Sequence, residues 1–374
     1  MPNYSKCPYN AQPNKAFFKK IKNCKSGYLA EQEFDLQGKS PRLMSFGSCF
    51  ASRISKMIEK SDAHFVSSSD FVCSKKVHKK PLIKNEFSLP TGNIYTSRHF
   101  RQFIERAVGK NDELPRIIKA GKGDLRNSFR PTVYSYKNEF SLRYDDELLL
   151  KNFIDEVSKS NILFLTLGLT ETWVDKETGL VLPNVPGCGL GVFDEKVYEF
   201  VDLKYDEVLS DLTIIHHILR DLNSSIEVVL TVSPIPLLAT YKNKSVIEAS
   251  NEAKAVIRAA VNEAVTRHKH LYYFPSYDII MDTRCVGENF AVGNGREISE
   301  IGLLKVNREI HRFLGIINHD NSCLDSNTPS NTSVFQNSMK IDVSTSLEPT
   351  DISCDEEVFF DAIVASKSFK LGSE

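Results

Sequence analysis

Two continuous apolar runs constrain the fold of this chain more than any other feature. NILFLTLG (161–168) and SIEVVLTVSP (225–234) have few polar positions, which is typical of strands buried on both faces of a parallel sheet. Helical patterns follow them at 205–223 and 245–268, and a further strand and helix are indicated at 270–276 and 298–315. Strands that alternate with helices in this way predict βαβ units.

The same alternation begins earlier, in RLMSFGSCFASRISKMIEK (42–60). This stretch predicts a strand at 42–46, a tight glycine turn and a helix from about residue 50 to residue 60. Between 67 and 144 we find no clean repeating pattern, apart from a loop at 90–95 that leads into a helix near 97–108. We therefore predict an α/β fold with three α/β/α layers and a mainly parallel, flavodoxin-like central sheet.

Composition divides the chain into one domain with two flanking segments. Residues 1–40 resemble an irregular lead-in, 41–316 form the α/β domain, and 317–374 form a polar linker and tail in which DEEVFFDAIVASKSF can dock as a short helix. The net charge of −1 excludes a global field that attracts nucleic acid, and no apolar run is long enough to span a bilayer. The eight cysteines lack C-x-x-C spacing, and the amino terminus has no signal-peptide pattern, so we expect reduced thiols in a cytoplasmic protein without metal or cofactor.

Polar residues follow the predicted strands, at the sheet edge where α/β proteins hold their ligands. They are Gly47-Ser48-Cys49, the segment from Gly168 to Trp173, and Ser233-Pro234, with Gly92-Asn93 in a separate loop. Ser48 precedes a helix, where backbone N–H groups stabilise a developing oxyanion, so it is a candidate nucleophile. The alternative is that Ser48 caps the helix. Cys49 is a rival nucleophile, but we expect it to pack inward as a small apolar residue.

The stretch FGSCFASRI resembles the signature of the GSCFA family, a branch of the SGNH/GDSL hydrolase-like superfamily. TGNIYTSRHF, LTLGLTETWVD, VPGCGLGVFD, LTVSPIPLLAT and YYFPSYDIIMD also resemble blocks of that family, in the same order, so the resemblance covers about residues 42–315. It implies an SGNH-hydrolase-like fold and chemistry on an ester.

The resemblance also implies a set of site residues. Ser48 falls at the nucleophile position, and its N–H and that of Gly92 would stabilise the oxyanion. Gly168 resembles the glycine of a G-x-N block whose asparagine is replaced by Thr170, so either the Thr170 hydroxyl or the Asn93 amide would complete the oxyanion hole.

The last block departs from the superfamily pattern, which supplies an aspartate and a histidine as D-x-x-H. The chain has Asn294-Gly295-Arg296-Glu297 instead. Glu297 can act as the base only if burial raises its proton affinity. Some relatives of the family have a histidine near the start of the long helix. The residue of this chain that resembles that position is Ser245.

The histidines elsewhere are weaker candidates for the base. His216 and His217 lie within a helix, where we expect surface or core roles. His268 and His270 flank the end of a long helix, where a cation favours the helix dipole. His99 follows the Gly92-Asn93 loop and is the most suggestive of them.

Two functional hypotheses remain open from the sequence. The first is a serine esterase or O-acyltransferase that acts on a glycan or small-metabolite ester, with an acyl donor as a further partner. Gly168, Glu171, Trp173 and Asn294 would line its substrate pocket, and Trp173 could equally anchor its own loop. The second is a degenerate SGNH-fold binding or assembly module. The retained serine turn favours the first hypothesis, and the altered D-x-x-H block favours the second.

Overall fold

A computed structural model describes residues 33–36, 38–59, 64–67, 87–119, 123–131, 134–188, 191–282, 286–291 and 295–316. The strands of these residues are β1 Arg42–Gly47, β2 His64–Phe65, β3 Ile117–Lys119, β4 Leu125–Asn127, β5 Ile162–Leu167, β6 Glu171–Asp175, β7 Val181–Leu182, β8 Tyr198–Asp202, β9 Glu227–Val232 and β10 Leu271–Phe274. The helices are α1 Cys49–Glu59, α2 Ser97–Ala107, α3 Glu139–Val157, α4 Tyr205–Leu222, α5 Val246–Arg267, α6 Ser276–Ile280, α7 Val286–Asn289 and α8 Glu300–Leu314.

The main sheet of the described residues has five parallel strands in the order β10-β9-β5-β1-β2. Every residue of β5 is buried, as its continuous apolar sequence predicts. The four strands that the apolar runs predict are all present, each within a residue or two of the expected bounds. The parallel α/β sheet is therefore confirmed.

The two faces of this sheet support separate cores. Leu163, Leu165 and Leu167 of β5 belong to a core that includes α2, α3, α4 and α5. Ile162 and Phe164, which alternate with them, belong to a second core with α1, α6 and α8. Alternate side chains of a strand point to opposite faces, so helices cover both sides of the sheet and the three-layer architecture is confirmed.

Helix α3 and a second sheet are among the features that were not predicted. The helix α3 begins at the end of the region without a clean pattern and continues beyond it, and its inward face carries Asp145 and Asp146 rather than apolar residues alone. Arg130 pairs with Asp145 at 2.6 Å and Arg106 with Asp146 at 2.5 Å, so ion pairs replace part of the apolar stripe.

The second sheet has the strand order β7-β6-β8, and its three strands follow β5 in the sequence. Its central strand β6 begins at Glu171 and includes Trp173, in the segment expected only to follow a strand. Strands β6 and β8 pair antiparallel.

The predicted lead-in at 1–40 and the predicted tail at 317–374 lie almost wholly outside the described residues, so they stay predictions. In the part of the chain that is described, no helix combines the length and apolar character needed to cross a membrane.

Candidate functional site

Ser48 lies at the point where the strand order of the sheet reverses. β1 and β5 are neighbours, and the chain leaves β1 in one direction and β5 in the other. Gly47 ends β1 with a φ of +140°, and a Cβ at this position would lie 2.3 Å from the Thr166 carbonyl oxygen. Glycine is therefore required for the strands to approach, and the turn that it permits places Ser48 at the carboxyl edge of the sheet, where α/β folds bind ligands.

The Ser48 hydroxyl is buried without a partner. The residue is 2% exposed, and its Oγ has no hydrogen bond with any described residue. A capping serine would accept a bond from the first turn of α1, so Ser48 does not act as the cap. A buried hydroxyl that stays unpaired costs about 1–3 kcal/mol. Ser45 and Thr166, on the adjoining strands, also have unpaired buried hydroxyls.

Gly168 adjoins Ser48 from the end of β5. A Cβ on Gly168 would lie 3.7 Å from Ser48 Oγ, which is ordinary contact distance. The missing side chain therefore leaves a space of about one methyl group beside the hydroxyl.

The loop that contains Gly92 and Asn93 is fixed beside this turn at both ends. The buried Arg130 guanidinium donates to the Pro90 carbonyl at 3.1 Å. The Ile94 N–H donates to the Gly47 carbonyl at 2.8 Å. These contacts bring the Gly92-Asn93 loop beside the turn that carries Ser48.

The predicted oxyanion donors differ in availability. The Ser48 N–H donates to the Thr166 carbonyl at 3.1 Å, so it is already used within the sheet. The Gly92 N–H has no acceptor among the described residues, and the half-buried Gly92 has a φ of +70° that suits glycine. Asn93 is also half-buried. Of the predicted donors, the Gly92 N–H is therefore free for a ligand, whereas that of Ser48 must first leave its acceptor.

Thr170 is also engaged. Its buried hydroxyl donates to the Asp202 carboxylate at 2.7 Å. Burial alone would raise the pKa of Asp202, but hydrogen bonds from Lys204, Lys242 and Thr170 hold it below the ordinary value. The carboxylate is thus ionised at neutral pH and accepts a hydrogen bond from the Thr170 hydroxyl. The oxyanion role predicted for Thr170 requires this bond to break.

Two of the residues that replace D-x-x-H, Arg296 and Glu297, are among the described residues. Arg296 donates to the Pro236 carbonyl, in the loop after β9, at 3.3 Å. Glu297 is exposed, so it lacks the burial on which its predicted base role depends. Asn294, predicted to contact substrate, lies outside the described residues.

A mainly apolar cavity of about 240 Å³ begins beside Gly168. Its wall includes Leu169, Trp173, Leu182, Phe200, Leu237 and Tyr241. Trp173 forms edge-to-face contacts with the rings of Phe200 and Tyr241, at centroid distances of 5.6 and 4.8 Å.

The predicted pocket residues Glu171 and Trp173 both line this cavity. The Glu171 carboxylate accepts a bond from the Thr240 hydroxyl at 2.7 Å and another from the Tyr241 N–H at 3.2 Å. Glu171 therefore holds in place the part of the cavity wall that Thr240 and Tyr241 form. Ser48 does not line the cavity, and Leu169 connects the two regions.

His99 also lines the cavity, and among the residues that the structure describes it is the one histidine on this wall. Its Nε2 lies 3.1 Å from the Phe129 carbonyl oxygen, so Nε2 carries the proton and Nδ1 keeps a lone pair. Nδ1 is buried and has no partner among the described residues. Burial is the main reason that the pKa of His99 is lowered to about 3, so the ring stays neutral.

Sequence reasoning missed Lys254, which is 2% exposed. Its Nζ donates to the Gly168 carbonyl at 2.7 Å, so the ammonium fixes the peptide that adjoins Ser48. Lys254 lies on the Ala-rich helix α5, far from Gly168 in the sequence. A lysine at a helix position between small apolar residues was the available signal.

Comparison with known proteins identifies the family of the chain. No curated protein matches the chain. The family model for the GSCFA family matches residues 42–302, which include the Ser48 turn, the Gly92 loop, Gly168 and Lys254. The match covers more than half of the chain, and it agrees with the resemblance carried by FGSCFASRI. The chain therefore belongs to the GSCFA family.

Proposed function

We propose that this protein is an SGNH-like serine enzyme that hydrolyses or transfers an ester-linked acyl group. The observation that carries the proposal is the Ser48 hydroxyl, which is buried at the switch point of the sheet and has no hydrogen-bond partner among the described residues. Unpaired buried groups are uncommon in folded proteins and call for an explanation, such as a role in chemistry. The Gly168 space beside Oγ fits a reacting group at contact distance.

In the proposed reaction the Ser48 oxygen attacks the ester carbonyl while its proton passes to a base. The bond to the alcohol oxygen then breaks, the alcohol leaves with a proton, and the acyl group stays on Ser48 until water or another hydroxyl removes it. The Gly92 N–H, for which the described part of the chain offers no acceptor, would bind the oxyanion.

The cavity suggests the class of substrate. Its aromatic and aliphatic wall fits an acyl chain or the apolar face of a sugar ring. His99 Nδ1 and the side-chain oxygen of Asn184 are buried acceptors without partners on this wall. Because both accept hydrogen bonds, they match hydroxyl groups of a ligand. We therefore propose an O-acyl ester of a small hydroxylated molecule, such as a sugar.

A second candidate function rests on a different observation. The Ser48 N–H, the Gly168 N–H and the Thr170 hydroxyl all have acceptors within the fold, the second being the Tyr95 carbonyl at 2.9 Å. With these donors occupied and Glu297 exposed, the same cavity suits a binding module that retains the fold without the reaction.

Labelling with a serine-reactive fluorophosphonate separates the two functions. The enzyme is expected to bind one equivalent of label on the peptide that contains Ser48, and Ser48→Ala is expected to lose both the label and the turnover of p-nitrophenyl esters. Cys49→Ala is the matched control, since it alters the adjacent buried residue and keeps the hydroxyl. Absence of label in the folded wild-type protein would reject the enzyme and leave the binding module.

A further inference from the structure

Three histidines from two helices meet at one place in the structure. His216 and His217 lie in the second half of α4, and His268 directly follows α5. One ring nitrogen from each of the three lies within 4.8 Å of those of the other two. The ring centroids of His216 and His268 are 4.7 Å apart. This spacing would allow one ion to contact all three rings after small side-chain rotations.

The neighbours of two rings fix which nitrogen is free. His216 Nε2 lies 2.9 Å from the Lys269 carbonyl oxygen, which can only accept, so Nε2 carries the proton. The remaining nitrogen, Nδ1, is buried without a partner. In a metal site, a bond of this kind from the second nitrogen orients the ring and leaves a lone pair for the ion.

Thr213 acts on His268 in the same way. The Thr213 hydroxyl donates to the Leu209 carbonyl at 2.9 Å, so its proton is used. His268 Nε2, at 3.2 Å, must then donate to Thr213 Oγ1, which leaves a lone pair on His268 Nδ1. His217 is exposed and can turn toward the other two rings.

The two arginines whose charges act on His216 and His268 already have partners. Arg220 donates to the Ile226 carbonyl at 3.1 Å, and Arg267 pairs with Glu263 at 2.7 Å. Burial lowers the pKa of His216 and that of His268, and the neighbouring imidazoles add to the effect. Neutral imidazole is the form that binds metals.

We propose that His216, His217 and His268 bind one Zn²⁺ ion. Three imidazoles are a known donor set for zinc, with water in the fourth position, and they also suit Co²⁺ and Ni²⁺. The site joins the end of α5 to α4 just before β10, at the amino edge of the sheet. Ser48 lies at the carboxyl edge, so this ion is separate from the ester site and connects the two helices.

Metal titration of the full chain tests the proposal. After treatment with a chelator, the wild-type protein is expected to bind one equivalent of Zn²⁺ in calorimetry and to melt at a higher temperature with the ion. With Co²⁺, we expect the visible absorption bands of a four-coordinate site. His217→Gln is the main variant, because an exposed side chain can be replaced without loss of the fold. It is expected to weaken Zn²⁺ binding at least about tenfold and to remove the cobalt bands.

Two further variants separate this site from other ligands on the chain. His64→Gln changes an exposed histidine on β2 and is expected to leave binding unchanged. Thr213→Val keeps the three imidazoles, removes the acceptor of His268 and is expected to weaken binding about 10-fold to 100-fold. The proposal is overturned if the wild-type protein shows no saturable binding near one equivalent, or if His217→Gln binds Zn²⁺ as tightly as His64→Gln does.

Discussion

Replacement of Ser48 by alanine should make the protein more stable. The hydroxyl is buried and no described residue forms a hydrogen bond with it, so its desolvation is uncompensated, at a cost of about 1–3 kcal/mol. Removing one oxygen atom leaves only a small void, which offsets part of this gain. We therefore expect Ser48→Ala to raise the free energy of unfolding by about 1 kcal/mol.

The opposite sign is expected if Ser48 is a helix cap. Loss of a capping serine lowers stability by about 0.5–2 kcal/mol. The chain contains a matched control in Ser245, whose side chain accepts a bond from the Glu248 N–H at 3.2 Å at the start of α5. Ser45→Ala is the complementary control, since it removes another buried hydroxyl without a partner. Ser48→Ala should follow Ser45→Ala and not Ser245→Ala.

Urea unfolding measures the difference. Trp173 is the single tryptophan and lies buried in the cavity wall, so its fluorescence reports the folded state. Circular dichroism provides a second probe, and agreement between the two supports the two-state treatment. A loss of about 1 kcal/mol in Ser48→Ala, equal to that in Ser245→Ala, would show that Ser48 is a cap and would remove the observation behind the proposed enzyme.

Three further predictions concern the surroundings of this residue. Gly47→Ala is expected to prevent folding, because its Cβ would lie 2.3 Å from the Thr166 carbonyl oxygen, and a soluble variant with a wild-type melting temperature would contradict this. Gly168→Ala is expected to keep wild-type stability within about 1 kcal/mol while it prevents phosphonate labelling, because the added methyl would lie 3.7 Å from Ser48 Oγ. The lowered pKa of His99, about 3 against 6.5, means that the unfolded chain binds more protons between those values, so stability falls as pH falls through that window. His99→Gln is expected to reduce this slope by up to about 1.4 kcal/mol per pH unit, measured by urea unfolding at pH 4.5 and 6.5, and an unchanged slope would show that His99 is not buried as a neutral ring.

The sheet was predictable because its signal is local. In β5 and β9 nearly every residue is buried on one face of the sheet or the other. Each of these strands therefore has a continuous apolar sequence. The helix α3 was not predictable because it lacks such a local signal. Its buried Asp145 and Asp146 resemble a solvent-exposed face until Arg130 and Arg106, which are distant in sequence, are placed opposite them.

The location of the candidate site was also predictable, since strand ends and glycines place Ser48 and Gly168 at one edge. The hydrogen bonds of the site were not. Thr170 resembled a free donor because Asp202, its acceptor, enters from β8 of a sheet that the sequence did not reveal. Lys254 was missed because its acceptor is a backbone carbonyl, which has no residue-specific signal. The location of the candidate site follows from local sequence patterns. The hydrogen-bond partners of its polar groups depend on contacts between residues that are far apart in the sequence.

The stability of Ser48→Ala and the labelling of Gly168→Ala answer different questions about one hydroxyl. The first reports whether the resting protein bears an unpaired group at the switch point, and it requires no substrate. The second reports whether a reagent must pass through the space beside Gly168 to reach that group. A stabilised Ser48→Ala variant together with label on the wild-type protein but not on Gly168→Ala would mean that the hydroxyl is kept at a cost to stability for use by a reactant. If Ser48→Ala is stabilised but the wild-type protein takes up no label, the hydroxyl is retained in a protein that no longer carries out the reaction. That is the result expected of the binding module.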